Sequence, residues 1–157
     1  MRILSLFTTA TALLVSSTTA AALTTSQHTD FPSLFNADLE DLVTGLERQL
    51  FTSVDLVRAY TARISEVNST LHAVTELNPD AEAIAASLDA LRKNGTTYGP
   101  LHGIPILIKN NIATDDKMNN TAGSWALRGA KVPRDSTLAR KLRKAGAVIL
   151  GKTNLSQ

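Results

Sequence analysis

A lysine stands at the end of an apolar stretch in the segment GPLHGIPILIKNN, which runs from Gly99 to Asn111. Successive side chains of a strand point to opposite faces, and the run before Lys109 is apolar on both. The lysine is therefore expected to enter a covered environment, where burial disfavours the charged amine and lowers its pKa. A neutral amine held in this way accepts a proton, so Lys109 is a candidate general base.

Two structural alternatives stay open for this lysine. Its ammonium group could reach solvent from the end of the strand while its methylene chain stays against apolar surface. It could also pair with Asp115 or Asp116, which follow shortly after it in the chain. In neither alternative does Lys109 take part in a reaction.

A general base acts on a group that is a poor nucleophile until it is deprotonated, and a hydroxyl is such a group. Serines occur after the apolar segment at Ser124, Ser136 and Ser156. None of these three lies in the glycine-flanked elbow that exposes a nucleophile beside oxyanion donors. The residues alone therefore indicate a base without an evident nucleophile.

The elements that must position this lysine are predicted from apolar spacing and capping residues. Helices are predicted over 39–46, 52–68, 79–94 and about 136–145, and strands over 71–77, 104–109 and 147–153. The first three helices have candidate N-terminal caps in Asn36, in Thr52 with Asp55, and in Asn78. Helices that lead into apolar strands predict an α/β fold, with a mixed sheet covered by helices on both faces.

The first residues are typical of a secretory signal peptide. Arg2 precedes an apolar run from Ile3 to Val15, and small residues follow. The run is shorter than the roughly 20 residues of a membrane-spanning helix, so no membrane association is expected after cleavage near Ala20 or Ala22. We therefore predict a signal peptide over 1–22, a polar tether over 23–35, one folded region over 36–157, and a secreted protein.

Secretion has consequences for modification and cross-linking. Asn68 and Asn94 lie in N-x-S/T sequons that follow predicted helices, and they are the best candidates for glycosylation. The chain has no cysteine, which excludes disulfides and cysteine-ligated metals. No metal or cofactor site is predicted.

The formal net charge is only +2, but basic residues are concentrated between Arg128 and Lys144. Leu138 and Leu142 stand among them at helical spacing, which is typical of a solvated helix over a core. No aromatic residue is interleaved with these charges, so a nucleic-acid partner is not expected. Gly151-Lys152-Thr153 matches the tail of a phosphate-binding loop, but the preceding glycine is missing and the tripeptide ends a strand, so we interpret the match as accidental.

Three motifs, in this order and at this spacing, resemble the amidase signature family: GPLHGIPILIKNNI, TAGSWAL and AGAVILGKTNLSQ. That family includes one of the subunits of glutamyl-tRNA amidotransferase, fatty-acid amide hydrolase and secreted fungal amidases. The likeness runs from about Leu39 to Gln157 and includes the helical preamble TSVDLVRAYTARI. The departures are Asn110 where many members have Asp, and Gln157 where Glu is frequent.

The resemblance implies that Lys109 is the catalytic base of a Ser-(cis)Ser-Lys triad that cleaves amide carbon–nitrogen bonds. It also implies that Ser124, Thr153 and Asn154 support the site or line its pocket. In family members both serines of the triad lie in a Gly/Ser-rich stretch well downstream of the G-K-T-N motif, and no such stretch occurs in these residues. Only the lysine of the triad is therefore expected here.

We expect residues 36–157 to form the N-terminal portion of an amidase domain, truncated before the Gly/Ser-rich motif. The expected partner of the whole enzyme is a small-molecule amide, with no cofactor, and the chain alone is predicted to be inactive. The alternative function is a non-catalytic secreted binding module derived from a truncated amidase paralogue.

Overall fold

The computed structural model describes residues 31–156. The predicted signal peptide and most of the predicted tether lie outside the described residues. Both therefore remain predictions from the sequence. Four α-helices, one 3₁₀ turn and three strands occur in the described part of the chain. Among these elements, no helix is both long and apolar enough to cross a membrane.

The first two helices have the predicted amphipathic character. Helix α1 spans Leu39–Glu47 and helix α2 spans Ser53–Leu71. The capping box of α2 is confirmed, since Thr52 and Asp55 exchange side-chain to backbone hydrogen bonds. The prediction of Asn36 as the cap of α1 was wrong: Asp38 forms a capping box with Asp41, because a carboxylate there meets the free N–H groups of the first turn directly.

Strand β1 spans Val74–Leu77 and helix α3 spans Ala81–Lys93. The predicted Asn78 cap of α3 was wrong, since the helix begins later, behind Asp80. The Asn78 side chain accepts a hydrogen bond from the Asp80 N–H at 3.0 Å and donates one to the Ile149 carbonyl at 2.8 Å. Asn78 therefore fixes the turn between β1 and α3 against the strand beneath it.

The remaining elements complete a three-stranded mixed sheet. Strand β2 spans Pro105–Lys109, helix α4 spans Thr137–Lys144 behind the Ser136 cap, and strand β3 spans Val148–Thr153. The strand order is β1-β3-β2, with β1 antiparallel and β2 parallel to the central β3. The predicted mixed α/β fold is confirmed.

Helices cover the central strand on both faces. Val148 and Leu150 pack with buried residues of α2 and α3. Ile149 points the other way and packs with Ile108, Met118 and Ala139 of α4. A third apolar cluster lies at the amino-terminal end of β2, where Ile104 meets the buried leucines of α1 and α2.

The register of β2 against β3 shifts by one residue in the middle of the sheet. Ile106 pairs with Ile149, but Leu107 pairs with Gly151, so Leu150 is an extra residue on β3. Such a bulge changes which face the following side chains point to. Lys152 consequently pairs with Ile108 on the α4 face, whereas Lys109 pairs with Thr153 on the opposite face.

Candidate active site

The carboxyl ends of β2 and β3 meet at one edge of the sheet because the two strands are parallel. Lys109 ends β2 and pairs in register with Thr153, which ends β3. The Lys109 Nζ donates a hydrogen bond of 2.5 Å to the hydroxyl oxygen of Ser156, three residues beyond β3. The sheet therefore brings together a lysine amine and a serine hydroxyl that are far apart in sequence.

Lys109 is half-buried, and this differs from the covered environment expected for it. Its neighbour on the same face, Leu107, is 37% exposed, because α2 and α3 cover this face over β3 but leave the end of β2 open. The ion-pair alternative was wrong for both Asp115 and Asp116, since Lys109 forms no salt bridge within 31–156 and Asp116 accepts a hydrogen bond of 2.7 Å from Arg143 instead. The Lys109 amine is thus accessible to solvent while it is hydrogen-bonded to the Ser156 hydroxyl.

Asn110 ties the end of β2 to both other strands. It is buried, its N–H donates to the Thr153 carbonyl at 3.0 Å, and its Nδ2 donates to the Thr75 hydroxyl at 2.9 Å. The residue that replaces the frequent Asp of the motif is therefore used as a hydrogen-bonding amide. It fixes the backbone immediately after Lys109.

A cavity of about 350 Å³ lies beside this strand edge. Its wall includes Asn110, Ser124 and Asn154, together with residues of β1, the loop after β2 and the 3₁₀ turn. Two of the three residues predicted as site support thus line the cavity, and the third, Thr153, is the strand partner of Lys109. Lys109 is not part of the cavity wall, but its neighbour Asn110 is. A cavity of this volume falls in the range of small-molecule sites.

Lys152 is the buried lysine of this structure, and the sequence reasoning missed it. Its side chain is 0% exposed, and its Nζ donates to the Ile112 carbonyl at 2.5 Å and to Asn120 Oδ1 at 3.3 Å. Burial lowers its pKa, and the negative charges of Asp116 and Glu76 oppose that shift in part. The signal was present, since the run AVILGK ends an apolar strand in a lysine just as IPILIK does.

The Lys152 amine holds the loop after β2 against the sheet. Asn120, which accepts one of its hydrogen bonds, also accepts from the Thr114 N–H at 2.8 Å and donates to the Thr114 carbonyl at 2.9 Å. The next residue back, Asn119, donates to Glu76 of β1 through both its backbone N–H and its Nδ2, at 2.8 and 3.0 Å. One side of the cavity is therefore built on a partly buried polar network.

The predicted glycosylation sites differ in their surroundings. Asn68 is partly buried, and its side chain both donates to the Val74 carbonyl and accepts from the Val74 N–H. Asn94 is exposed just after α3. Asn94 is therefore the more accessible of the two acceptors.

The described residues contain no cluster of three His, Cys, Asp or Glu side chains that would hold a metal ion. His102 is buried, and both of its ring nitrogens have partners: its Nδ1 accepts from the Tyr98 N–H at 3.2 Å, and its Nε2 lies 3.0 Å from the Leu88 carbonyl. These contacts leave His102 with a structural role beneath α3.

Comparison with known proteins gives one consistent result. A family model described as Amidase matches residues 55–157. A protein of Arthroderma benhamiae named "Putative amidase" is 50% identical, and the match covers 83% of this chain and 26% of that protein. A glutamyl-tRNA(Gln) amidotransferase subunit of Salinispora arenicola is 38% identical, with 82% of this chain and 26% of that protein covered.

A solved structure matches as well. The native peptide amidase of Stenotrophomonas maltophilia superimposes with a TM-score of 0.73 and 48% identity, over 77% of this chain and 25% of that one. The chain thus spans about a quarter of the length of each of these proteins.

The lowered pKa of Lys152 predicts a pH dependence of folding. At a pH below both pKa values the amine is charged in the folded and unfolded states, and its burial costs stability in full. Between the lowered folded pKa and the unfolded value of 10.5 the unfolded state binds more protons, so stability rises with pH. We expect the unfolding free energy of the wild type, minus that of Lys152→Met, to increase as pH rises toward 10.5.

Urea denaturation at several pH values measures this difference, with Lys144→Met, an exposed lysine of α4, as the matched control. Tyr60, whose pKa is raised by burial, titrates in the same alkaline range but is common to all three proteins and cancels. A difference that stays flat with pH for Lys152→Met would contradict the role of burial.

Proposed function

Since this chain belongs to the amidase family, as its three motifs predicted, we propose that it supplies the general base Lys109 to the hydrolysis of amide carbon–nitrogen bonds. The observation that carries the proposal is the 2.5 Å hydrogen bond between Lys109 Nζ and the Ser156 hydroxyl. At that distance a lysine amine and a hydroxyl can exchange a proton directly. The contact lies at the strand edge beside the cavity, where a substrate amide would be held.

In the proposed reaction, the Lys109 amine takes a proton from a bridging serine, which takes one from a second, nucleophilic serine. The nucleophile attacks the amide carbonyl, and backbone N–H groups stabilise the oxyanion. The proton returns to the nitrogen as the carbon–nitrogen bond breaks, and water then hydrolyses the acyl-enzyme along the same path. The Ser156 contact supports the fit of a hydroxyl against Lys109, but Ser156 lies outside any Gly/Ser-rich stretch, so we do not assign it to the triad.

The chain by itself is proposed to be inactive, because the Gly/Ser-rich stretch with both serines is not among its residues. We expect purified chain to release 4-nitroaniline from 4-nitroacetanilide no faster than buffer does, with absorbance at the product band as the measurement. Turnover above the buffer rate that is lost in Lys109→Ala would contradict this expectation.

The role of Lys109 is testable in a chimera with the peptide amidase of Stenotrophomonas maltophilia, in which the matching quarter of that enzyme is replaced by the aligned residues of this chain. We expect the chimera to hydrolyse a peptide amide, and Lys109→Ala to lower kcat by about 10²- to 10⁴-fold because the general base is lost. Ammonia release measures the rate.

The matched control in the chimera is Lys144→Ala, which removes an exposed lysine from α4 and is expected to leave kcat unchanged. Lys109→Arg keeps the positive charge but supplies no neutral amine, so it should be as inactive as Lys109→Ala. Activity retained by either Lys109 variant would exclude this lysine as the base.

The alternative, a non-catalytic secreted binding module, is supported by one observation. The cavity is lined by described residues and does not require Lys109 in its wall. A module of this kind would bind an amide without hydrolysing it, and a chimera that stays inactive although it folds and binds would favour it.

Secretion is part of the proposal and has a separate readout. We expect the chain, expressed with its own first 22 residues in a yeast host, to appear in the medium with a glycan on Asn94, because that sequon is exposed. Endoglycosidase treatment should increase its gel mobility, and Asn94→Gln should remove most of that change. Retention of the protein inside the cell would contradict the predicted leader.

A further inference from the structure

The 3₁₀ turn Trp125–Leu127 presents an aromatic and a cationic side chain on the same side of the cavity. Residues three apart in a 3₁₀ turn lie one above the other. The Arg128 N–H donates to the Trp125 carbonyl at 3.1 Å, and the Arg128 guanidinium carbon lies 5.3 Å from the centroid of the indole ring. Both residues belong to the cavity wall, and Trp125 is 81% exposed.

The turn is fixed to the sheet from two directions. After the turn, the Gly129 N–H donates to Asn119 Oδ1 at 3.1 Å, and Asn119 is itself bound to Glu76 of β1. Before the turn, Gly123 has a φ of +76°, and a Cβ added there would lie 2.9 Å from Leu155 Cδ1. The position of Trp125 and Arg128 is therefore set by β1 and by the segment after β3.

The polar side chains of the cavity wall differ in whether they already have hydrogen-bond partners. Both oxygens of Glu76 accept hydrogen bonds from Asn119, and the amide of Asn154 donates to the His72 carbonyl and accepts from the Leu155 N–H. The Arg128 guanidinium forms no hydrogen bond or ion pair with any residue in 31–156. Glu76 keeps its negative charge but directs both oxygens to Asn119, so the Arg128 guanidinium is the charged group of this wall that has no hydrogen-bond partner within 31–156.

We propose that Trp125 and Arg128 select amides that carry a carboxylate, which Arg128 binds while a flat apolar group lies against the indole of Trp125. A guanidinium offers two parallel N–H donors that match a carboxylate, and such charge-assisted bonds are stronger than neutral ones. The inference rests on the proposed function, since it assumes that this cavity holds the amide substrate. It adds the substrate class to that function.

The test uses two probes of the same size that differ in the terminal group, the anionic carboxylate of N-benzoylglycine and the neutral carboxamide of N-benzoylglycinamide. Trp125 is the single tryptophan of the chain, so its fluorescence reports on this cavity alone. We expect the anionic probe to change the fluorescence of the full chain with a Kd about tenfold lower than that of the neutral probe. No turnover is needed for this measurement.

Three variants test whether Arg128 is the source of the preference for the anionic probe. Arg128→Gln should remove the preference for the anion, Arg128→Lys should keep part of it because the charge remains, and Lys144→Gln, a matched loss of an exposed cation from α4, should leave it unchanged. Far-UV circular dichroism establishes that each variant is folded. Equal affinity for the two probes, binding of neither probe, or an anion preference that survives in folded Arg128→Gln each overturns the inference.

The outcomes also separate this inference from the proposed function. An anion preference that depends on Arg128 in a chimera without hydrolytic activity would support the carboxylate site and contradict the amidase role. A hydrolytically active chimera with equal kcat/KM for charged and neutral amides would support the amidase role and contradict the carboxylate site.

Discussion

The parallel pairing of β2 with β3 is the interaction on which the rest of the structure depends. It brings the ends of two strands, some forty residues apart in the chain, to one edge, and it places Lys109 beside Thr153 and within reach of Ser156. The residues of the candidate site lie at that edge, in the loop after β2, or on β1, which pairs with β3. Because parallel strands need a long crossover connection, the same segment that joins them also supplies the cavity wall and α4.

The bulge at Leu150 and Gly151 decides which of two similar lysines is buried. Without the extra residue, Lys152 would share a face with Val148 and Leu150 rather than with Ile149. The bulge turns Lys152 toward α4 and the loop carbonyls, where it is enclosed, while Lys109 keeps the more open face. Gly151 makes this geometry feasible, since a Cβ there would lie 2.4 Å from the Glu76 carbonyl oxygen.

Hydrogen bonds offset part of the cost of burying Lys152, and they also order the loop that supplies them. An amine without water needs acceptors, and it finds them in the Ile112 carbonyl and Asn120, both in the loop after β2. That loop then carries Asn119, which connects β1 to the turn with Trp125 and Arg128. A buried amine that is not itself in the cavity wall thus helps to define that wall through a hydrogen-bond network.

The sequence by itself determined the fold class, the three strands, the capping box of α2, the family, and the location of Lys109 at a strand end. These features depend on local spacing, on capping chemistry and on motifs that are contiguous in the chain. The exact caps of α1 and α3 were not determined, because each helix has two candidate acceptors two residues apart, Asn36 and Asp38 before α1, and Asn78 and Asp80 before α3. Only the tertiary structure decided that Lys152, and not Lys109, is enclosed. A one-residue bulge reverses the alternation of side chains along β3, and the spacing of apolar residues in the sequence does not predict it. The same is true of the Trp125–Arg128 pair, whose availability to a ligand depends on which partners the fold gives to Glu76 and Asn119.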